Sequence, residues 1–186
     1  MIKHVITDLD GTLVDNLFLN TMSYRRAFES VGLKFDPFVY KQCFGLRFDA
    51  MCDVMGVPVD PETRQKIAIK KAEAYADNIA MVDINTPLIN FIKSLKDVTV
   101  TVATTASLKN ASAMLGHLKA VTGFRPNYVI TGEDAQHGKP APDVYLHALE
   151  MLDNPSRDEV IVFEDSMTGI TAAHAAGIRS VIKIQI

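Results

Sequence analysis

Apolar residues fall along this chain in two alternating patterns. Short β-branched or apolar runs recur at residues 2–8, 98–103, 128–130, 160–163 and 180–184. Each is the length of a buried strand. Between them, apolar residues space themselves at helical intervals. Leu88, Phe91, Ile92 and Leu95 mark one such face; Ala111, Met114, Leu115 and Leu118 a second; Tyr145, Ala148, Leu149 and Leu152 a third. A small-residue helix follows, with Gly169 inside it and Gly177 as its stop. Thr86-Pro87 and Ser107 supply helix-start chemistry. Strands alternating with helices predict an α/β fold with a doubly wound parallel sheet. Ligands of such sheets bind beyond the carboxyl ends of the strands.

Residues 16–85 depart from this rhythm. After a connection at 16–20, Tyr24, Phe28 and Val31 lie on one helical face, stopped by Gly32. Pro37 opens a short helix with Phe38, Val39 and Cys43, broken at Gly45. Phe48, Met51, Cys52 and Met55 give a third, ended by Gly56. Asp60 and Pro61 start a fourth, whose inner face is predicted at Ala68, Ala72, Tyr75, Ala76 and Ile79. The segment carries no strand signal. The pattern therefore predicts an α/β core from 1–15 and 86–186, with a small helical cap inserted at 16–85.

Composition narrows the function classes. The chain has 186 residues, 48% hydrophobic and 22% charged, with a net charge of −3. That suits a packed domain and argues against a nucleic-acid partner, which a basic patch would announce. Cys43 and Cys52 form no CxxC pattern and no ligand spacing with His, and read as reduced thiols. The first residues run directly into a strand without a signal-peptide core, and no apolar run is long enough to cross a bilayer. The expectation is a cytoplasmic protein, monomeric or weakly self-associating, with no membrane partner.

The chemistry concentrates where strands end. The first strand runs into Asp8-Leu9-Asp10-Gly11-Thr12-Leu13-Val14-Asp15. Two carboxylates around one small volume repel unless a cation or a shared proton relieves them. A hard cation such as Mg²⁺ takes carboxylates together with phosphate oxygens, so the pair points to phosphate chemistry. Gly11 permits a sharp turn and a close backbone approach. The second strand end gives Thr104-Thr105, beside backbone N–H groups that favour an anion. The loop after the third gives Lys139, and the fourth strand runs into Glu164-Asp165-Ser166.

Asp-x-Asp-Gly-Thr, the run Gly138-Lys139-Pro140-Ala141-Pro142-Asp143 and the run Phe163-Glu164-Asp165-Ser166-x-x-Gly169 resemble, in order, motifs of the haloacid dehalogenase (HAD) superfamily. Thr104 stands where that family carries its phosphate-binding hydroxyl. The resemblance covers nearly the whole chain. It is nearest to the β-phosphoglucomutase and sugar-phosphatase branch, and its short ending resembles the fructose-1-phosphate phosphatase type. It implies a HAD-like Rossmannoid core and a Mg²⁺-dependent phosphatase of small phosphorylated metabolites. Asp8 would be the nucleophile, forming an aspartyl-phosphate, and Asp10 the general acid and base. Thr104 would contact phosphate, and Lys139 would offset Asp8 and steady phosphate. Asp8, Asp10, Asp165 and Glu164 would surround the metal. Gly11 and Thr105 would meet the phosphate, with Asn20 and Arg47 of the cap meeting the rest of the substrate.

Alternatives remain at this level. Thr105 can replace Thr104 at the phosphate, and the second motif lacks the Asn or Ser that relatives often show next. Arg47 can reach substrate or pair with Asp49 or Asp53. A phosphomutase that needs a sugar bisphosphate, or a phospholigand-binding protein without turnover, would use the same motifs.

Overall fold

A computed structural model describes residues 1–43, 46, 48–58 and 60–186. It divides the chain into two compact units, Met1–Asp15 with Asp83–Ile186, and Asn16–Val82.

The first unit is built on a five-stranded sheet. β1 (His4–Thr7) lies at its centre. β2 (Val14–Asp15) and β3 (Asp83–Ile84) form a separate antiparallel pair. β4 (Thr99–Ala103), β5 (Tyr128–Ile130), β6 (Val160–Glu164) and β7 (Ser180–Lys183) join β1 in the order β5-β4-β1-β6-β7. All four pairings in this sheet are parallel. The chain leaves β1 to one side through β4 and β5, then returns to its other side through β6 and β7. That reversal puts the carboxyl end of β1 at a topological switch point, the usual crevice for ligands in open α/β sheets.

Four helices complete this unit: α5 (Thr86–Ser94), α6 (Leu108–Thr122), α7 (Asp143–Met151) and α8 (Met167–Ala175), numbered after the four among the described residues of the helical unit. A strand buried on both faces is apolar throughout, which is why Val5, Ile6, Val160 and Val162 have no exposed surface. Ile6, Val160 and Val162 pack with Tyr145, Ala148 and Leu149 of α7 and Ala172 and Ala173 of α8. Small residues let α8 lie close to the sheet.

The helical unit contains α1 (Leu17–Ser30), α2 (Pro37–Gln42), α3 (Phe48–Val54) and α4 (Pro61–Asp77). α1 packs on α4. Asp36 and Asp60 each cap a helix whose next residue is proline, the first accepting from Phe38 N–H at 2.8 Å and the second from Thr63 N–H at 2.9 Å. Phe28, Tyr40, Cys43, Met51, Cys52 and Ile67 form its apolar centre.

Four details differ from the sequence reading. Residues 17–20 are already helical, since α1 begins at Leu17. Residues 83–84 form a strand, because they pair with β2, so the helical unit ends at Val82. The buried face of α4 keeps Tyr75 from the expected set but is otherwise Ile67, Lys71 and Ala74, with Ala68 and Ala76 exposed. The cap of α5 is Asn85, whose side chain accepts from Leu88 N–H at 3.2 Å, not Thr86.

Candidate active site

The site begins where β1 stops. Asp8 continues the ladder by donating its N–H to Phe163 O at 3.0 Å, so its position is fixed by β6. The chain then curls tightly. Leu13 and Val14 donate to Leu9 O at 3.0 and 3.2 Å, and Gly11 donates to Val14 O at 2.7 Å. Gly11 has φ of +90°, a conformation that L side chains rarely adopt. A Cβ there would also collide with the Asp165 carboxylate. Glycine at this position is what lets the turn after β1 meet the end of β6. Asn85 braces the same turn, donating from its side chain to Thr12 O at 3.0 Å and from its N–H to Leu13 O at 2.9 Å.

Three carboxylates converge. Asp8, Glu164 and Asp165 each offer an oxygen within 4.8 Å of the others. Lys139 reaches them from the loop before α7. Its ammonium donates to Asp8 Oδ1 and to Glu164 Oε1, both at 2.6 Å, and to Ala103 O at 3.4 Å. The Lys139 side chain is 5% exposed and that of Glu164 1%. Glu164 is otherwise held by Tyr145, whose hydroxyl donates to Oε1 at 3.2 Å, and by Ser166, whose N–H and hydroxyl donate to Oε2 at 2.8 and 3.0 Å. Thr12 orients Asp165, donating to Oδ1 at 3.2 Å.

The electrostatics are unbalanced. Burial raises the pKa of Asp8 well above the ordinary aspartate value, and Glu164 and Asp10 add to the rise while Lys139 opposes it. Burial and Glu164 likewise raise Asp165. For Lys139, burial alone would lower the pKa. The charges of Asp8 and Glu164 override it, and the ammonium is held well above the usual lysine value. One buried ammonium, bonded to Asp8 and Glu164, thus stands against a cluster of three carboxylates, Asp8, Glu164 and Asp165. An all-oxygen donor set with excess negative charge suits a hard divalent cation. Asp8 and Asp165 are the carboxylates best placed for it, since Glu164 already accepts four hydrogen bonds.

The remaining sequence candidates are distributed as follows. Asp10 is half-buried beside Gly11. Thr104 is buried at the end of β4, and its hydroxyl accepts from Ala106 N–H at 3.0 Å. Thr105 is half-buried, with its carbonyl so close to Gly132 that a Cβ there would lie 2.6 Å from it. Asn20 is buried on α1, within the helical unit. Arg47 lies outside the described residues, and Asp49 and Asp53 pair with Arg64, at 3.3 and 2.6 Å. Thr12, Asn85, Tyr145 and Ser166 were not singled out from the sequence. Tyr145 carried a usable signal. It is the one hydroxyl among the buried residues of α7, and a buried tyrosine hydroxyl ordinarily has a partner.

A doubly wound sheet with acidic groups and a lysine gathered at its switch point is the architecture of a phosphate-handling hydrolase. The chain matches the family model of haloacid dehalogenase-like hydrolases over residues 5–183, and it belongs to that family. It is similar to the phosphorylated carbohydrates phosphatase of Thermotoga maritima, 28% identical over 187 residues spanning 95% of this chain and 82% of that protein. It is similar also to fructose-1-phosphate phosphatase YqaB of Escherichia coli, 28% identical over 184 residues, spanning 95% of this chain and 94% of that one. The crystal structure of CbbY from Rhodobacter sphaeroides in complex with phosphate superposes with a TM-score of 0.83 at 25% identity, covering 99% of this chain and 87% of that one.

Proposed function

We propose that this protein hydrolyses small phosphate monoesters, sugar phosphates foremost, through a phosphoryl group carried transiently on Asp8. The observation that carries the reading is the pairing of Asp8 with Lys139 at 2.6 Å inside a cluster of carboxylates at the carboxyl end of β1. The free Asp8 oxygen attacks phosphorus as the ester P–O bond breaks. Asp10 gives a proton to the departing alkoxide. Water then attacks the aspartyl-phosphate, Asp10 takes back a proton, and orthophosphate leaves with Asp8 restored. Lys139 stabilises charge on the phosphoryl oxygens, and the Thr104 hydroxyl, which accepts from Ala106 N–H, keeps its own O–H to donate there.

Asp8, Asp10 and Asp165, with Glu164 beside them, would hold Mg²⁺, which would supply further charge stabilisation to the phosphoryl group. The core groups read only phosphate, so substrate choice is assigned to the helical unit, with Asn20 and Arg47 as its candidate contacts.

Phosphate release from a panel of sugar phosphates and other small esters tests this, with wild type and Asp8→Asn compared with and without Mg²⁺. Metal-dependent release from wild type is expected, with less than about 1% remaining in Asp8→Asn, as for loss of a nucleophile. Equal release from both proteins would refute the role of Asp8. Turnover that requires an added sugar bisphosphate would make the enzyme a phosphomutase instead.

A further inference from the structure

Tyr145 touches both partners of the buried ion pair beside Asp8. Its hydroxyl donates to Glu164 Oε1, the oxygen that also takes Lys139. Its ring lies under the ammonium, with Nζ 5.0 Å from the centroid, a placement that favours a cation. Phenylalanine would fill the same apolar wall of α7 without bringing a hydroxyl out of water, which costs free energy unless the hydroxyl is bonded. Volume therefore does not account for tyrosine here, whereas the bond to Glu164 does.

The surroundings of Glu164 are built to match. Ser166 fixes Oε2 with two donors. Gly169 leaves room for the carboxylate, which a Cβ at that position would overlap. With Oε2 fixed, Oε1 is shared between one hydroxyl and one ammonium. The ammonium in turn stands at the same distance, 2.6 Å, from Glu164 and from Asp8. Removing the hydroxyl leaves Oε1 to Lys139 alone, and the ammonium is drawn from Asp8 towards Glu164.

We infer that Tyr145 is a positioning residue, whose hydroxyl sets how Lys139 is divided between Glu164 and Asp8. The consequence for turnover rests on the role given to Lys139 above; the placement of the ammonium does not.

Two measurements on Tyr145→Phe test it. The first is steady-state kinetics on the best ester of the panel. A charge-assisted hydrogen bond acting on a transition-state group predicts a fall in kcat of about tenfold with KM within about twofold of wild type. The second needs no substrate. Chemical denaturation of wild type, Tyr145→Phe, Lys139→Met and the double variant forms a cycle. The effect of Tyr145→Phe on the unfolding constant should differ by about threefold or more between the two backgrounds. If Lys139→Met does not fold, Glu164→Gln takes its place in the cycle. Unchanged kcat in a folded Tyr145→Phe, or strictly additive effects in the cycle, would overturn the inference and leave Tyr145 as packing. A wild type inactive on every ester would refute the phosphatase reading, and the cycle alone would then decide whether Tyr145 positions Lys139.

Discussion

The two units handle charge in opposite ways. In the α/β unit the decisive charges are buried and share partners: Lys139 serves two carboxylates, and Glu164 accepts from three residues. In the helical unit the lysine–glutamate pairs of α4 are exposed, Lys66 with Glu62 and Lys70 with Glu73, and Arg64 of the same helix pairs with the exposed carboxylates of Asp49 and Asp53. Its buried lysine, Lys71, has its ammonium over the rings of Tyr75 and Tyr24, 4.2 and 5.2 Å from their centroids. A buried charge network gives each member leverage over the others. Charges in water act nearly independently. Sensitivity to mutation, pH and metal should therefore be concentrated in the α/β unit.

The largest stability effect is expected from Lys139→Met. It leaves Asp8 and Glu164 buried without their common cation, and breaking a buried pair in this way costs about 3–5 kcal/mol. Urea unfolding at neutral pH measures it. The pH dependence has a definite sign. Asp8 has a folded pKa above its unfolded value, so its ionised form destabilises the fold and protonation relieves the strain. Lys139 opposes that rise, so Asp8 titrates higher still in the variant, and the cost should shrink as pH falls through the variant's value towards the wild type's. A cost below about 1 kcal/mol, the range of surface pairs, would dissolve the contrast between the units.

Mg²⁺ sharpens the same contrast with a smaller effect. In metal-free protein, raised pKa values at Asp8 and Asp165 mean that the folded state holds more protons than the unfolded state. Stability then falls as pH rises from the unfolded value, about 4, through the folded values. A cation bound only by the folded protein reverses this loss. Millimolar Mg²⁺ should raise the thermal midpoint more at pH 7.5 than at pH 5, by a few degrees at the higher pH. The same metal should leave the midpoint of Asp165→Asn nearly unmoved. An equal rise in that variant would place the cation elsewhere.

Much of this was legible in the sequence, for a reason visible in particular residues. Val5-Ile6 and the 160–163 run are apolar, Glu164 follows the second directly, and Asp8 follows the first after Thr7, the last residue of β1. Parallel strands then bring those ends to one edge. The short β2–β3 pair was illegible because two residues per strand carry no period. The face of α4 was misread because Lys71 counts as polar by type, whereas its long stem can be buried. Asn85 and Thr86 are adjacent residues that can both cap; asparagine is the better of the two, and its contacts with Thr12 and Leu13, far away in sequence, fix it there. Tyr145 scored as one more apolar residue of a helix face. The partner of its hydroxyl, Glu164, comes from another element, and periodicity does not report pairings of that kind.

The smallest effect should come from the outer surface of the helical unit. Lys66 and Glu62 stand one turn apart on α4 at 2.7 Å, with side chains 60% and 77% exposed. Glu62 raises the lysine pKa, and a raised lysine contributes stability that is present below its unfolded value, about 10.4, and lost only above it. Between pH 5 and pH 9 the pair is thus constant, and water screens it throughout. Lys66→Ala should leave the thermal midpoint unchanged within error across that window, and adding salt to wild type should do no more. The comparison with Lys139→Met is then direct, since each variant removes one lysine that contacts carboxylate at under 3 Å. If the two cost the same, bond length would be governing both, and the burial of the α/β network would explain nothing about its sensitivity.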